Sequence, residues 1–298
     1  MADEALRLDK RLVRLSFERA AQSYDQAAVL QREVAQRMAQ RLPYVKLVPR
    51  RILDAGAGTG FGTRLLARRY PKAHLIALDL AWAMLKAARA AQPWWQRLAG
   101  PARRARYLCG DLERLPLAAS SVDLVWSNLT LQWCNAPEQA FRECYRVLVP
   151  GGLFMFSTFG PDTLKELRQA FASVDGYTHV NRFVDMHDLG DLLTYAGFAA
   201  PVMDMEMITL TYLDLKQLLC ELKALGAHNV TFGRNHGLMG KRRWQAMVEA
   251  YESLRRDGRL PATFEVVYGH AWVGESKRRE DGRQAIALQI ARRQAGLR

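Results

Sequence analysis

Residues 50–60 read RRILDAGAGTG: a short apolar run ends in an acid, Asp54, and breaks into three glycines, Gly56, Gly58 and Gly60, each separated by one residue. A run this short, bounded by a glycine turn, has the pattern of a buried strand. Glycine lets the backbone turn sharply there and lets a ligand approach where a Cβ would clash. The next stretch, FGTRLLARRY (61–70), has helical spacing, so the segment reads strand, glycine turn, helix. Working outward, AHLIALDL (73–80) supplies a second strand, ARYLCGD (105–111) a third, VDLVWSNL (122–129) a fourth and GGLFMFSTF (151–159) a fifth. A helix from about Pro137 to Leu148 separates the last two. Strands alternating with helices predict an α/β fold on a parallel sheet.

The flanks extend this core. Residues 5–42 place Leu8, Leu12, Leu15 and Ala20 three or four apart and predict helix, expected to lie over the carboxyl edge of the sheet. Downstream, MHDLGDLLTYAGF (186–198) and DLKQLLCELKALGA (214–227) read as helices on either side of a strand-like MDMEMITLTY (203–212). TFEVVYGHAWVG (263–274) is a last strand before a charged tail. The 298 residues, 49% hydrophobic, suffice for one large core. A single domain is expected: a helical cap over 1–50, a ligand-binding core over 51–160, a helical insertion with a sixth strand over 161–260, and a last strand with its tail over 261–298.

Composition narrows the function classes. No stretch approaches the roughly 18 apolar residues of a membrane span. Asp3, Glu4 and Asp9 interrupt any basic start of the kind a secretory signal carries. Cys109, Cys134, Cys144 and Cys220 lie in apolar segments without the close pairing of a zinc or redox motif, which predicts reduced core cysteines and a cytoplasmic location. A formal charge of +13 favours an anionic partner.

Three acids stand at successive strand ends. Asp54, beside Gly56, Ala57, Gly58 and Gly60, would repel a pyrophosphate but suits the ammonium group of a methionine moiety. Asp79 ends the second strand nineteen residues past Gly60, where a carboxylate can accept from both hydroxyls of a ribose. Asp111 ends the third, placed to accept from an adenine amine while Leu112 and Met84 pack on the ring. Leu80, Asn128 and Leu129 follow the second and fourth strands and complete the predicted cofactor set.

The glycine loop, Asp79, GDLERLPL (110–117) and DLVWSNLTLQWC (123–134) together resemble the class I S-adenosylmethionine methyltransferases. The resemblance implies a seven-stranded Rossmann-like sheet whose last strand is antiparallel, with N-terminal helices and a helical insertion over the active site, and S-adenosylmethionine as cofactor. After the fourth strand, nucleobase amino-methyltransferases carry Asn or Asp, two prolines and an aromatic to grip a flipped base. This chain has Ser127-Asn128-Leu129-Thr130-Leu131-Gln132-Trp133, which argues against a nucleic-acid substrate.

A narrower likeness lies in AAQSYDQAAVLQ (20–31), SNLTLQWC (127–134), NRF (181–183) and LKALGAHN (222–229), which in this order resemble the malonyl-acyl-carrier-protein O-methyltransferases of biotin synthesis. That resemblance implies methyl transfer to the free carboxylate of a malonyl thioester on a carrier protein or on coenzyme A. It further implies Arg182 as the group that holds the malonyl, Tyr24 as the phenol that closes over the reacting centre, and Gln132 and Trp133 on the pocket wall. Lys223, Lys241, Arg242 and Arg243 are expected to meet an acidic carrier. Other readings stay open: a complex I assembly factor of the kind thought to hydroxylate a protein arginine, although no His–carboxylate set has iron-ligand spacing; a quinone or small-molecule methyltransferase; and a non-catalytic cofactor-binding scaffold.

Overall fold

The computed structural model describes residues 6–92, 105–234, 237 and 239–274. The predicted strands form one seven-stranded sheet in the order β3-β2-β1-β4-β5-β7-β6. Its strands are β1 (Arg51–Ala55), β2 (His74–Asp79), β3 (Arg106–Cys109), β4 (Val122–Asn128), β5 (Leu148–Phe159), β6 (Phe198–Tyr212) and β7 (Leu260–Val273). The first five pair in parallel, and β7 runs antiparallel to both β5 and β6. The chain reverses direction in strand order beside β1, where β2 lies on one side and β4 on the other. In open α/β sheets that switch point is where a ligand finds a crevice at the carboxyl ends of the strands.

Helices cover both faces. On one, α3 (Val29–Arg41) presents Leu30, Val34 and Met38 to a core that includes Ile52, Leu124, Trp126 and Met155. On this face too lie α7 (Lys165–Ala172), α9 (Leu215–Ala224) and α10 (Lys241–Glu252), which contribute Leu167, Leu218 and Met247. On the other face α6 (Pro137–Val147) and α8 (Met186–Tyr195) bury Phe141, Cys144, Leu189 and Leu193 against Phe154 and Phe156. Spacing of three and four along α6, at Ala140, Phe141, Cys144 and Val147, gives it one buried stripe. The remaining helices, α4 (Phe61–Arg69) and α5 (Trp82–Ala90), follow β1 and β2.

The structure departs from the sequence expectations in several places. The helix expected over 5–42 is divided into α1 (Lys10–Ala20), α2 (Tyr24–Ala27) and α3. At the first break the Ser23 hydroxyl donates to the Ala224 carbonyl at 3.0 Å, so a tertiary contact with α9 replaces helical continuity. The fifth strand begins at Leu148 rather than Gly151, and helices α5, α7 and α10 form in stretches for which the sequence reading names no helix. Cys134 and Cys144 are half-buried and buried, as expected of core residues, whereas Cys109 and Cys220 are exposed, because the strand edge and the outer face of α9 put them there; all four thiols are free. The charged tail lies outside the described residues. Among the described residues no helix is long and apolar enough to cross a membrane.

Candidate active site

The crevice starts at the glycine loop. The Gly56 and Ala57 N–H groups both donate to the Leu78 carbonyl, at 2.8 and 2.9 Å, which ties the end of β1 to the end of β2. Gly56 has φ +82°, and a Cβ there would stand 2.0 Å from Oγ1 of Thr130. Both the left-handed conformation and the close approach therefore demand glycine. The Gly58 N–H donates to Oδ2 of Asp79 and the Ala81 N–H to Oδ1, each at 2.8 Å. One carboxylate thus fixes the loop and opens the turn into α5.

Burial raises the Asp79 carboxyl to about 6; the Ala81 and Gly58 N–H groups oppose the rise and the nearby Glu18 adds to it. Asp54 is buried beneath α4, where the Thr63 hydroxyl donates to its Oδ2 at 2.5 Å. Burial pushes this carboxyl up to about 7, against the Thr63 bond and with help from the charge on Asp79. Asp54 in particular favours a ligand that brings positive charge, since a cation beside a carboxyl raised to about 7 stabilises its ionised form.

A cavity opens over these groups. Asp79, Leu80, Met84, Asp111, Leu112, Asn128, Leu129, Gln132 and Trp133 all line it, together with Tyr24, Gly56 and Gly58. Asp54 and Ala57 face a smaller adjoining hollow, which shares Tyr24, Gln31, Gly56, Gly58 and Asn128 with the larger one. Gly60, at φ +79°, lines neither hollow and acts by turning the chain into α4, where a Cβ would approach Ala88 to 2.9 Å. Asp111 is anchored through one oxygen, its Oδ1 accepting from Lys10 Nζ at 3.0 Å and from the Glu113 N–H at 3.0 Å. Lys10 also pairs with Glu113 and lines the cavity, a contribution from α1 that sequence reasoning missed.

The wall after β4 is held by hydrogen bonds to α3 and β5. Asn128 accepts from the Ser157 hydroxyl at 2.9 Å and donates to the Gln31 carbonyl at 3.1 Å. Leu129, a non-glycine residue at φ +49°, donates to the Ser157 carbonyl at 3.0 Å. The Gln132 amide is engaged at both ends, donating to the Leu129 carbonyl at 2.6 Å and accepting from Thr158 at 3.3 Å. Trp133 meets Phe17 edge to face, with centroids 5.1 Å apart. Tyr24 makes no side-chain hydrogen bond among the described residues; burial, then the charges of Asp79 and Asp25, raise its phenol well above the ordinary value and keep it protonated.

A second cavity meets the first at a shared wall of Gln31, Gln132, Trp133, Phe159, Leu225 and Ala227. Its sides are mostly apolar, with Leu30, Leu164, Leu167, Val180, Phe183, Leu210 and Phe264 among them. Gln31 is the second residue that sequence reasoning missed. It sits inside the quoted AAQSYDQAAVLQ, and its side-chain oxygen is buried without a hydrogen-bond partner.

Arg182 is placed elsewhere. Asn181 and Phe183 face the second cavity, whereas Arg182 between them is exposed and lines an outer groove with Arg168 and Tyr177. The expectation that Arg182 holds the acceptor at the reacting centre is not met by this geometry, because its neighbours rather than its own guanidinium face inward. Lys223 is exposed near the end of α9, and Lys241, Arg242 and Arg243 are exposed on the first turn of α10.

Comparison with known proteins fits this geometry. A methyltransferase domain family matches residues 53–156. The malonyl-[acyl-carrier protein] O-methyltransferase of Gallionella capsiferriformans is 58% identical over 94% of this chain and 96% of its own length. That of Laribacter hongkongensis is 58% identical over 95% and 97%, and that of Legionella pneumophila 42% identical over 90% and 92%. Among solved structures, the YcgJ protein of Bacillus subtilis superposes with a TM-score of 0.55 at 16% identity, covering 80% of this chain and 98% of its own, a likeness of fold alone.

Proposed function

We propose, from the premise that this chain belongs to the malonyl-[acyl-carrier protein] O-methyltransferase family, that it transfers the methyl group of S-adenosylmethionine to the free carboxylate of a malonyl thioester, an early step of biotin synthesis. The observation that carries this reading is the pair of cavities sharing one wall, the first built around poised acids and the second mostly apolar. The cofactor fits the first on the chemistry of its donor set. Asp54, from the smaller hollow, would face its ammonium end, Asp79 its ribose, and Leu80, Met84 and Leu112 its base, with Asp111 and Lys10 at the rim. When bound it supplies a methyl group on a positively charged sulfur.

The protein's own residues act on the acceptor. A carboxylate is already ionised near neutral pH, so no general base is required. What remains is to remove its water, aim one oxygen along the methyl–sulfur axis and leave its charge only lightly solvated. The apolar second cavity serves the first need. Tyr24, held protonated, donates a hydrogen bond and does not take a proton, and Gln31 has unspent amide hydrogen-bonding capacity at the shared wall. Both position the attacking oxygen. Gln132 and Trp133 form the rigid part of that wall.

The partner is an acidic carrier protein whose encounter is steered by the +13 net charge. Lys241, Arg242 and Arg243 are suggestive here, since cations on the first turn of a helix oppose its dipole and do nothing for α10 itself. Arg182, on the outer groove, belongs with these carrier-facing cations. The test is a panel of carriers bearing malonyl, monomethyl malonyl or acetyl groups, with formation of S-adenosylhomocysteine as readout. Turnover should occur with malonyl alone; equal turnover with the methyl ester, which has no ionised oxygen, would refute a carboxylate acceptor.

A further inference from the structure

The second cavity has a polar feature that its apolar walls do not explain. Asn181 lines it, the side-chain Oδ1 is buried, and neither end of the amide makes a hydrogen bond among the described residues. A buried amide oxygen without a donor is uncommon in a folded protein and calls for an explanation in ligand or water. The Asn229 side chain donates to the Thr178 carbonyl and so clasps the segment that carries Asn181. His179, in the same segment, is stacked on Phe171 at 3.9 Å and bonded to Asp175 at 2.8 Å. Asn181 is therefore set on a braced segment.

The cavity lies between two others. At one end it shares Gln31 and Gln132 with the cofactor cavity; at the other it shares His179, Val180 and Phe183 with the outer groove where Arg168 and Arg182 stand. Arg168 is spent on the Pro161 and Thr163 carbonyls, at 2.8 and 3.0 Å, while the Arg182 guanidinium makes no hydrogen bond or ion pair among the described residues. The sequence of surfaces from inside to outside is a reacting centre with the unpaired Gln31 carboxamide at its wall, an apolar cavity in which the Asn181 carboxamide is unpaired, and an exposed guanidinium.

We propose that this cavity is a channel for the pantetheine arm of the acceptor thioester and that Asn181 pairs with an amide of the arm. The inference rests on the malonyl-thioester reading above. A pantetheine thioester matches the order of surfaces: its acyl group reaches the centre, its methylenes and secondary amides run between apolar walls, and its outer end bears a phosphate. A primary carboxamide meets a secondary amide on both edges, accepting from its N–H and donating to its C=O. Arg182 at the mouth suits the phosphate. Asn181 is thereby a positioning residue that fixes how far the thioester enters.

The experiment compares malonyl-pantetheine with malonyl ethyl thioester, which keeps the acyl group and sulfur but has no amide. Wild-type kcat/KM should favour the pantetheine thioester by at least tenfold, and Asn181→Leu should bring the two substrates to within threefold of each other. Calorimetry with S-adenosylhomocysteine on both proteins verifies that the variant is folded. A wild-type ratio near one, or a ratio kept in Asn181→Leu, overturns the channel. Failure of wild-type enzyme to methylate malonyl carrier protein would refute the parent reading instead.

Discussion

Asp79→Asn should make the empty protein more stable while making it a worse binder. In the fold Asp79 goes from an ordinary 3.8 to about 6, chiefly through burial. About two pKa units correspond to at most ~3 kcal/mol of penalty on the ionised folded state, at about 1.4 kcal/mol per unit. The sign follows from linkage. The folded carboxyl holds its proton more tightly than the unfolded one, so this contribution to stability is intact below about pH 4 and is lost as pH rises towards 6. Asparagine removes that loss but can accept from only one of the Gly58 and Ala81 N–H groups, which returns roughly 1 kcal/mol. The net expectation at neutral pH is a gain of about 1–2 kcal/mol that vanishes near pH 4, with S-adenosylhomocysteine affinity at least tenfold lower for want of a charged ribose acceptor. Urea unfolding at several pH values and calorimetry measure the two effects. A stability difference that does not change between pH 4 and 7, or an unaltered affinity, would refute the reasoning.

Other substitutions test separate parts of the account. Gly56→Ala forces a Cβ onto Thr130 at positive φ and should cost about 2–5 kcal/mol from strain and overpacking together, read as a lower denaturation midpoint with loss of cofactor-product binding. Tyr24→Phe should lower kcat about tenfold or more while changing cofactor-product affinity little, since the phenol is assigned to the acceptor; single-turnover kinetics separates the two. The rate of encounter with malonyl carrier should fall as salt is raised towards physiological strength, while cofactor affinity stays nearly constant, and stopped-flow titration would show both. Asp54→Asn should weaken the rise of S-adenosylmethionine affinity between pH 6 and 8 that deprotonation of a carboxyl at about 7 imposes.

How much the sequence disclosed depended on the range of the interaction involved. The cofactor half is local: Asp54, the glycines and Asp79 lie on one strand–turn–helix–strand unit, and both their types and their spacing carry the geometry. The acceptor half is assembled from α3, the 175–183 segment, α9 and β5, so its wall depends on which way each side chain turns after packing. Arg182 was chosen for its chemistry, yet the chain presents Asn181 and Phe183 to the cavity and sends the arginine out. Lys10 and Gln31 gave no spacing signal, because their partners are distant in sequence: Asp111 for the lysine, the cavity wall for the glutamine. Gln31 stands within AAQSYDQAAVLQ, but only burial shows that its amide oxygen has no donor. The sequence predicts β6 over 203–212, and the strand extends back to Phe198, since its pairing with β7, not its own alternation, sets its limits.

The central claim is that methyl goes to a free carboxylate on a carrier-bound malonyl group. Its most direct measurement is the mass of the carrier's arm after incubation with S-adenosylmethionine, followed by mild base. Malonyl carrier should gain the mass of one methyl before base, and base, which cleaves the thioester as well as the methyl ester, should release methanol. An unmodified arm, or a methylated arm that yields no methanol in base, would contradict a carboxylate acceptor.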